Sequence, residues 1–315
     1  MIFMKRYLNK SLFFRVISYL IIGMVFVFMA AYLIRNFNEI KTYHFSLNYL
    51  YLFIAFVFFC LGIILSALIW EKIIRILESG NTLSGFKFFK IFIYSLPAKY
   101  LPGKIWVFAG KSYLGNREGI GVKALTVSVI YEIFLSTVAG FLLSLFLLGS
   151  FFKNAFSGFY LTTFLVIGLG LILMYPKVFY RLTNFTLIKL RREPIARDQF
   201  LNGKNLFKFI FYYLFVYILM GIGFFFLARS ITIFPLRNIA LAVGGYTMAT
   251  VLGTLAIFAP AGLGVKEGTL ISFLKFYFPL GIAIFISLLA RILTTVSEFI
   301  LFLLVATLTR LRKNQ

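Results

Sequence analysis

Leu96-Pro97-Ala98-Lys99-Tyr100-Leu101-Pro102-Gly103-Lys104 breaks an aromatic, membrane-grade stretch twice with proline and sets Lys99, Lys104 and, further on, Lys111 around the break. The apolar pieces on either side, 91–98 and 105–110, are too short to cross a hydrocarbon core of about 30 Å. Non-helical backbone at membrane depth is tolerated only where protein buries it or a watery cavity receives it. The stretch therefore predicts two half-helices in a re-entrant or interfacial hairpin over roughly 85–115, turning at Pro102 and Gly103. A second stretch repeats the device. Ala259-Pro260-Ala261-Gly262-Leu263-Gly264-Val265-Lys266-Glu267-Gly268 interrupts an apolar run with proline and glycine and puts charge directly after it, predicting a second re-entrant segment over about 258–276.

Working outward, the composition fixes the solvent. The chain has 315 residues, of which 62% are hydrophobic and 13% charged, with 42 phenylalanines. That is too little polar surface to coat a soluble globule, and no polar stretch is long enough for a soluble catalytic domain. The fold class expected is an all-α polytopic membrane protein of about six to eight transmembrane helices. The formal charge of +23 does not point to nucleic acid, because the basic residues sit between apolar runs instead of on a reading motif. Such placement is the positive-inside signal, with attraction to anionic lipid headgroups as its functional extension. The single cysteine, Cys60, excludes an internal disulfide and reads as core filler, and the lone His44 has no partners for a metal site. No metal or cofactor is expected.

The order of elements suggests two halves. Lys5, Arg6, Lys10 and Arg15 precede an uncharged run at 16–34, which predicts a cytoplasmic N-terminus and a retained first helix. A second run at 42–70 returns the chain, no clean span fits 71–123, and runs at 124–152 and 154–176 complete a first half, 1–176. A loop at 177–208 carries eight basic residues against Glu193 and Asp198 and marks the boundary. The second half, 209–315, has runs at 209–228 and 238–265, the Pro260 break, and a last span. Glu132 lies 30 residues after Pro102 and Arg291 lies 31 after Pro260, so each break is followed by a span with a buried charge. Duplicated halves meeting at a central site are a common transporter plan. Taken as the tip of a re-entrant loop, Pro260 puts the C-terminus outside, whereas Arg310, Arg312 and Lys313 favour the inside.

Glu132, Arg291 and Glu298 fall in otherwise apolar spans, where each charge costs about 2.5–3.5 kcal/mol at the helix centre. Arg291 and Glu298 are seven apart, about 700° of rotation, and share one helix face. Glu132 and Arg291 are expected to approach each other across the centre, there to pair, to bind a zwitterionic or anionic headgroup, or to fix helix register as a buried ion pair. Gly262 and Gly264 free backbone N–H groups where a helix starts, a place suited with Lys266 to an anion; alternatively Glu267 itself complements that terminus. Lys99, Lys104 and Lys111 either collect lipid phosphate or snorkel.

With Leu101-Pro102-Gly103-Lys104 ahead of the span bearing Glu132, and Pro260-Ala261-Gly262-Leu263-Gly264-Val265-Lys266-Glu267-Gly268 ahead of the span bearing Arg291, the chain resembles the flippase-like family, which includes the transmembrane region of bacterial lysylphosphatidylglycerol synthases. The likeness runs over about 12–308. It implies a multi-pass protein of a bacterial or archaeal cytoplasmic membrane that moves a lipid or lipid-linked headgroup between leaflets, beside envelope glycolipid or polysaccharide synthesis. It implies no aminoacyl transfer, since the chain ends at Gln315 without the soluble synthase domain of the larger relatives. Lys104 stands where arginine is common in that family and Trp106 where a small residue is. Two other classes compete with this expectation. A membrane glycosyl or headgroup transferase on polyprenyl-linked substrates would need carboxylates near the membrane face, and Glu39 is the only acid of the outer loop. A non-transporting scaffold would dock envelope-synthesis enzymes on the loop at 177–208. The partners expected are membrane lipids and such enzymes, with no enzymatic activity of the chain itself.

Overall fold

The computed structural model describes residues 47–101, 105–152, 176–189, 200–256 and 259–312, with a few isolated positions besides. Most of the first apolar run and the loop after it, the run at 154–176 up to residue 175, and Pro102, Gly103 and Lys104 lie outside the described residues. Within them the chain is helical, with no strand.

The long helices are α1 (Tyr49–Leu77), α4 (Val122–Phe152), α6 (Gly203–Ile231) and α9 (Leu280–Leu311). Among the described residues five helices are long and apolar enough to cross a membrane: these four, and α7 (Ile239–Leu255) together with the turn leading into it. Two starts follow from asparagine caps: Asn48 Oδ1 accepts the Tyr51 N–H at 3.1 Å, and Asn202 Oδ1 the Asn205 N–H at 2.9 Å. The uncharged run ends at Trp70, yet α1 continues through Glu71, Lys72 and Arg75, where Arg75 Nε donates to Glu71 at 2.8 Å. Part of the expected loop at 177–208 is also helix, α5 (Pro176–Lys189), begun by a proline whose missing N–H costs nothing at a first helical position.

The anomalous region resolves into α2 (Gly85–Ser95) and α3 (Ile105–Arg117), packed on each other. At about 1.5 Å per residue they reach only some 16 and 20 Å. Reversal begins earlier than expected, in the 3₁₀ turn Leu96–Tyr100 that Pro97 opens. The second break is built alike. The run at 238–265 is not one helix, because α7 ends at Leu255, a 3₁₀ turn follows at Pro260–Gly262, and the 10-residue α8 (Val265–Leu274) returns along α7.

The two hairpins open at opposite ends of the molecule. The first opens where α1 and α9 end and α4 begins: Trp70 packs edge-on to Phe88, Glu78 accepts the Gly121 N–H at 3.2 Å, and the Arg312 guanidinium covers the Phe86 ring at 4.1 Å. The second opens where α1 and α9 begin and α6 ends: Asn48 N–H donates to Ser230 O at 2.8 Å, and Phe234 packs against Phe278 at 5.4 Å. Their tips, the turns Leu96–Tyr100 and Pro260–Gly262, touch. They do so near Ile63 and Met220, about halfway along α1 and α6. Because α8 returns along α7, α9 runs back from the open end of the second hairpin and ends beside α2, on the side of the first hairpin.

Candidate functional site

Where the tips meet, the structure holds a cavity of about 330 Å³ with an apolar flank of Phe59, Ile63, Phe108 and Met220 and a polar flank that includes Lys99, Glu132, Lys266, Arg291 and Glu298. Five of the charges singled out in the sequence thus share one wall. The face of α9 is the spine of this wall. Arg291, Thr294 and Glu298 line the cavity together, as a spacing of seven on a helix requires.

The first tip is tied to that face. Lys99 Nζ makes an ion pair with Glu298, and the Tyr100 hydroxyl reaches Thr295 Oγ1 at 3.0 Å and Glu298 Oε2 at 3.3 Å. Arg291 lies over the Tyr100 ring, 5.6 Å from its centre.

The second tip is shaped by its backbone. Ala261, Gly262 and Gly264 have φ of 51°, 69° and 81°, a left-handed coil that turns the Ala261 carbonyl to accept from Arg291 Nη1 at 3.0 Å. Glycine is required at 262: a Cβ there would sit 2.7 Å from Gly253 O. Glu267, in the first turn of α8 and 1% exposed, accepts the Gly264 N–H at 2.7 Å and pairs with Arg291 at 3.6 Å. Of the two roles open to this terminus, the structure fills the helix start with the chain's own carboxylate, which satisfies the orphan N–H and complements the macrodipole. Lys266 points elsewhere, donating to the Tyr246 hydroxyl at 3.1 Å with its ammonium 4.3 Å above that ring.

The expected meeting of Glu132 and Arg291 takes a different form. Both line the cavity, but each is neutralised within its own half. Glu132 accepts two hydrogen bonds from Lys111 Nζ, at 2.6 and 2.7 Å, while Arg291 belongs to Glu267 and Ala261. Lys111 accordingly neither snorkels nor collects phosphate: it is 1% exposed, with its ammonium 3.9 Å over Phe92 and 5.3 Å from the Trp70 centre. A repeat emerges that the sequence comparison of Glu132 with Arg291 had half exposed. In each half the returning arm of the hairpin pairs with the long helix that follows, Lys111 with Glu132 and Glu267 with Arg291, with the signs exchanged.

Of the other residues singled out, Pro260 is buried in the second turn and Gly264 caps α8, while Pro102, Gly103 and Lys104 lie outside the described residues. The sequence reading missed Tyr100, Thr294, Thr295, Tyr246 and the Ala261 carbonyl. Thr294 and Thr295 could have been found, since they fall between Arg291 and Glu298 on the same face; Tyr246, in the middle of an apolar helix, carries no local signal. Among the described residues no three His, Cys, Asp or Glu side chains gather as a metal site.

No curated protein and no solved structure matches the chain. The family model of the lysylphosphatidylglycerol synthase transmembrane region matches residues 15–301, nearly the whole length and both broken stretches. With its helices able to cross a bilayer and its length matched in this way, the chain is a multi-pass integral membrane protein of a family linked to lipid metabolism, and belongs to the family of lysylphosphatidylglycerol synthase transmembrane regions.

Proposed function

We propose that the protein moves, or helps to move, the headgroup of an anionic phospholipid, glycolipid or other lipid-linked molecule between leaflets, in the service of envelope lipid or polysaccharide synthesis. The observation that carries this reading is the charged cavity at mid-length, bounded by two hairpin tips that arrive from opposite ends. Ionisable groups at such depth are expensive in hydrocarbon and mark a polar path. A volume of about 330 Å³ is at the low end for small-ligand sites. It suits a headgroup whose acyl chains remain in lipid.

In this reading both hairpins are re-entrant, and the end bearing Lys72, Arg75, Lys87, Lys90, Arg117, Lys123, Arg310 and Arg312 faces the cytoplasm, where basic residues concentrate, in a cytoplasmic membrane. The first hairpin then enters from the cytoplasm and the second from outside, as in inverted-repeat transporters. Helix α9 holds both tips, through Lys99–Glu298 and Tyr100–Thr295 on one side and Arg291–Ala261 on the other. Releasing one set opens the cavity toward one leaflet while the other set keeps it shut. Each carboxylate of the cluster is spent on a cation, which favours a binding path over general-base or metal chemistry. The test is leaflet exposure in reconstituted vesicles, using headgroup- or chain-labelled anionic and glycosyl lipids and a membrane-impermeant quencher. Acceleration over protein-free vesicles is expected for at least one lipid class, and none across the panel would refute the proposal.

A further inference from the structure

Every cation of the cluster but one is held by a carboxylate. Lys99 pairs with Glu298, Lys111 with Glu132 and Arg291 with Glu267, while Lys266 has no carboxylate within ion-pair distance among the described residues. Its ammonium rests on Tyr246 instead, 3.1 Å from the hydroxyl and 4.3 Å from the ring centre. The titratable and charged groups around it come from each part of the wall: Tyr246 on α7, Arg291 and Glu298 on α9, Lys99 on the first turn, Glu132 on α4 and its own neighbour Glu267. The carboxylates are spent, and Arg291 and Lys99 repel a further positive charge there. Four cations against three carboxylates thus leave one charge uncompensated at membrane depth, where it is expensive. A lysine can shed its proton and an arginine cannot, and Lys99 or Lys111 would strand a carboxylate by losing theirs. Lys266 strands nothing. Its partner is a hydroxyl, which accepts from the ammonium and can donate to the neutral amine, so the 3.1 Å hydrogen bond survives in both states. Without that proton the cluster balances at three against three.

We propose that Lys266 is a proton-carrying site, neutral while the cavity is empty and protonated when an anion enters it, so that one proton travels with each monoanionic cargo. The coupling rests on the headgroup-path reading; the proton site itself does not. The proton comes from water on the side of loading and returns to water on the side of release, and only the N–H bond forms and breaks. Loaded and empty, the cavity is then electroneutral, which lowers the cost of moving the cluster past hydrocarbon.

The site is tested by NMR across pH on the full-length protein in uncharged detergent, its lysines labelled with carbon-13 at Cε. The Lys266 signal is the one missing from Lys266→Gln, and that of Lys204, on the exposed start of α6, the one missing from Lys204→Gln. Lys266 is expected to titrate at least about one pH unit below Lys204, and titration of the two together overturns the proposal. Coupling is tested in vesicles with labelled short-chain phosphatidylglycerol, an impermeant quencher, and valinomycin with equal potassium on both sides to hold the membrane potential at zero. One proton per anion makes the leaflet ratio of the label follow an imposed pH difference by about tenfold per unit, with more label on the alkaline side. Protein-free vesicles, Lys266→Gln and Lys266→Arg are expected to show no such shift. Helical content and monodisperse elution show that each variant is folded. Accelerated exchange with a ratio indifferent to pH, or a shift that persists in either Lys266 variant, overturns the coupling while the transport reading stands. Absence of acceleration over protein-free vesicles refutes the transport reading and the coupling with it, and the NMR titration then decides the proton site alone.

Discussion

Replacing Lys111 with methionine removes the cation that Glu132 holds in its two short hydrogen bonds, and keeps a flexible apolar chain between Phe92 and Trp70. Breaking a buried ion pair from one side costs about 3–5 kcal/mol. Here the survivor, Glu132, is 21% exposed and opens on the cavity, where it can hydrate, so Lys111→Met should fall at the low end, about 3 kcal/mol. Glu132→Gln leaves an ammonium at 1% exposure with no charge partner, and should cost more, about 4–5 kcal/mol. The double variant has no stranded charge and should recover most of the loss, giving a coupling energy of about 2–3 kcal/mol. The assay is unfolding in mixed micelles read by tryptophan fluorescence, since one of the two tryptophans, Trp70, lies beside the pair. Additivity of the two single changes within about 0.5 kcal/mol would refute the claim that this pair anchors the first hairpin to α4.

Gly262→Ala should weaken the second tip by at least about 2 kcal/mol, because a left-handed φ disfavours alanine and its Cβ meets the Gly253 backbone; Gly268→Ala, with nothing near its Cβ and a helical position, should be neutral or stabilising by up to about 1 kcal/mol in the same unfolding assay. Glu298→Gln strands Lys99, which is 27% exposed at the cavity and can hydrate, so it should cost about 1–2 kcal/mol in the same unfolding assay. At the base of the first hairpin, Lys87 beside Glu118 holds that carboxyl below the usual carboxylate range. A depressed carboxylate stabilises above its unfolded value of about 4.3 and loses that contribution as the pH falls through the lower folded value. Lys87→Ala should therefore cost about 0.5 kcal/mol or less at pH 7, given how exposed the pair is, and nothing in strong acid, as read by thermal unfolding across pH.

Much of this fold was legible from solvent matching alone. Apolar runs of sufficient length have one stable form in a bilayer, so α1, α4, α6 and α9 stand where those runs predicted. The breaks were legible because Pro97, Pro260 and Gly262 act locally on the backbone. The exact points of reversal were not, since a helix can stop before its proline: α7 ends at Leu255 and α2 at Ser95. At the site, the intramembrane charges announced themselves by their cost, and the helical period put Arg291 and Glu298 on one face. The choice of partners lay beyond the sequence. Lys111 reads as a surface lysine among other lysines, and only the packing of α3 against α2 and α4 shows that Trp70 and Phe92 enclose it.

The measurement that bears most directly on the account is leaflet exchange by a protein whose cavity is filled. Ser136 lines that cavity and donates to the Ile133 carbonyl of its own helix, so Ser136→Trp puts an indole into the space without removing a charge. With folding verified by helical circular dichroism and monodisperse elution, wild type should exchange labelled phosphatidylglycerol faster than protein-free vesicles, and Ser136→Trp should fall to the protein-free rate. Exchange by the filled variant at the wild-type rate would show that headgroups do not pass between the two hairpin tips.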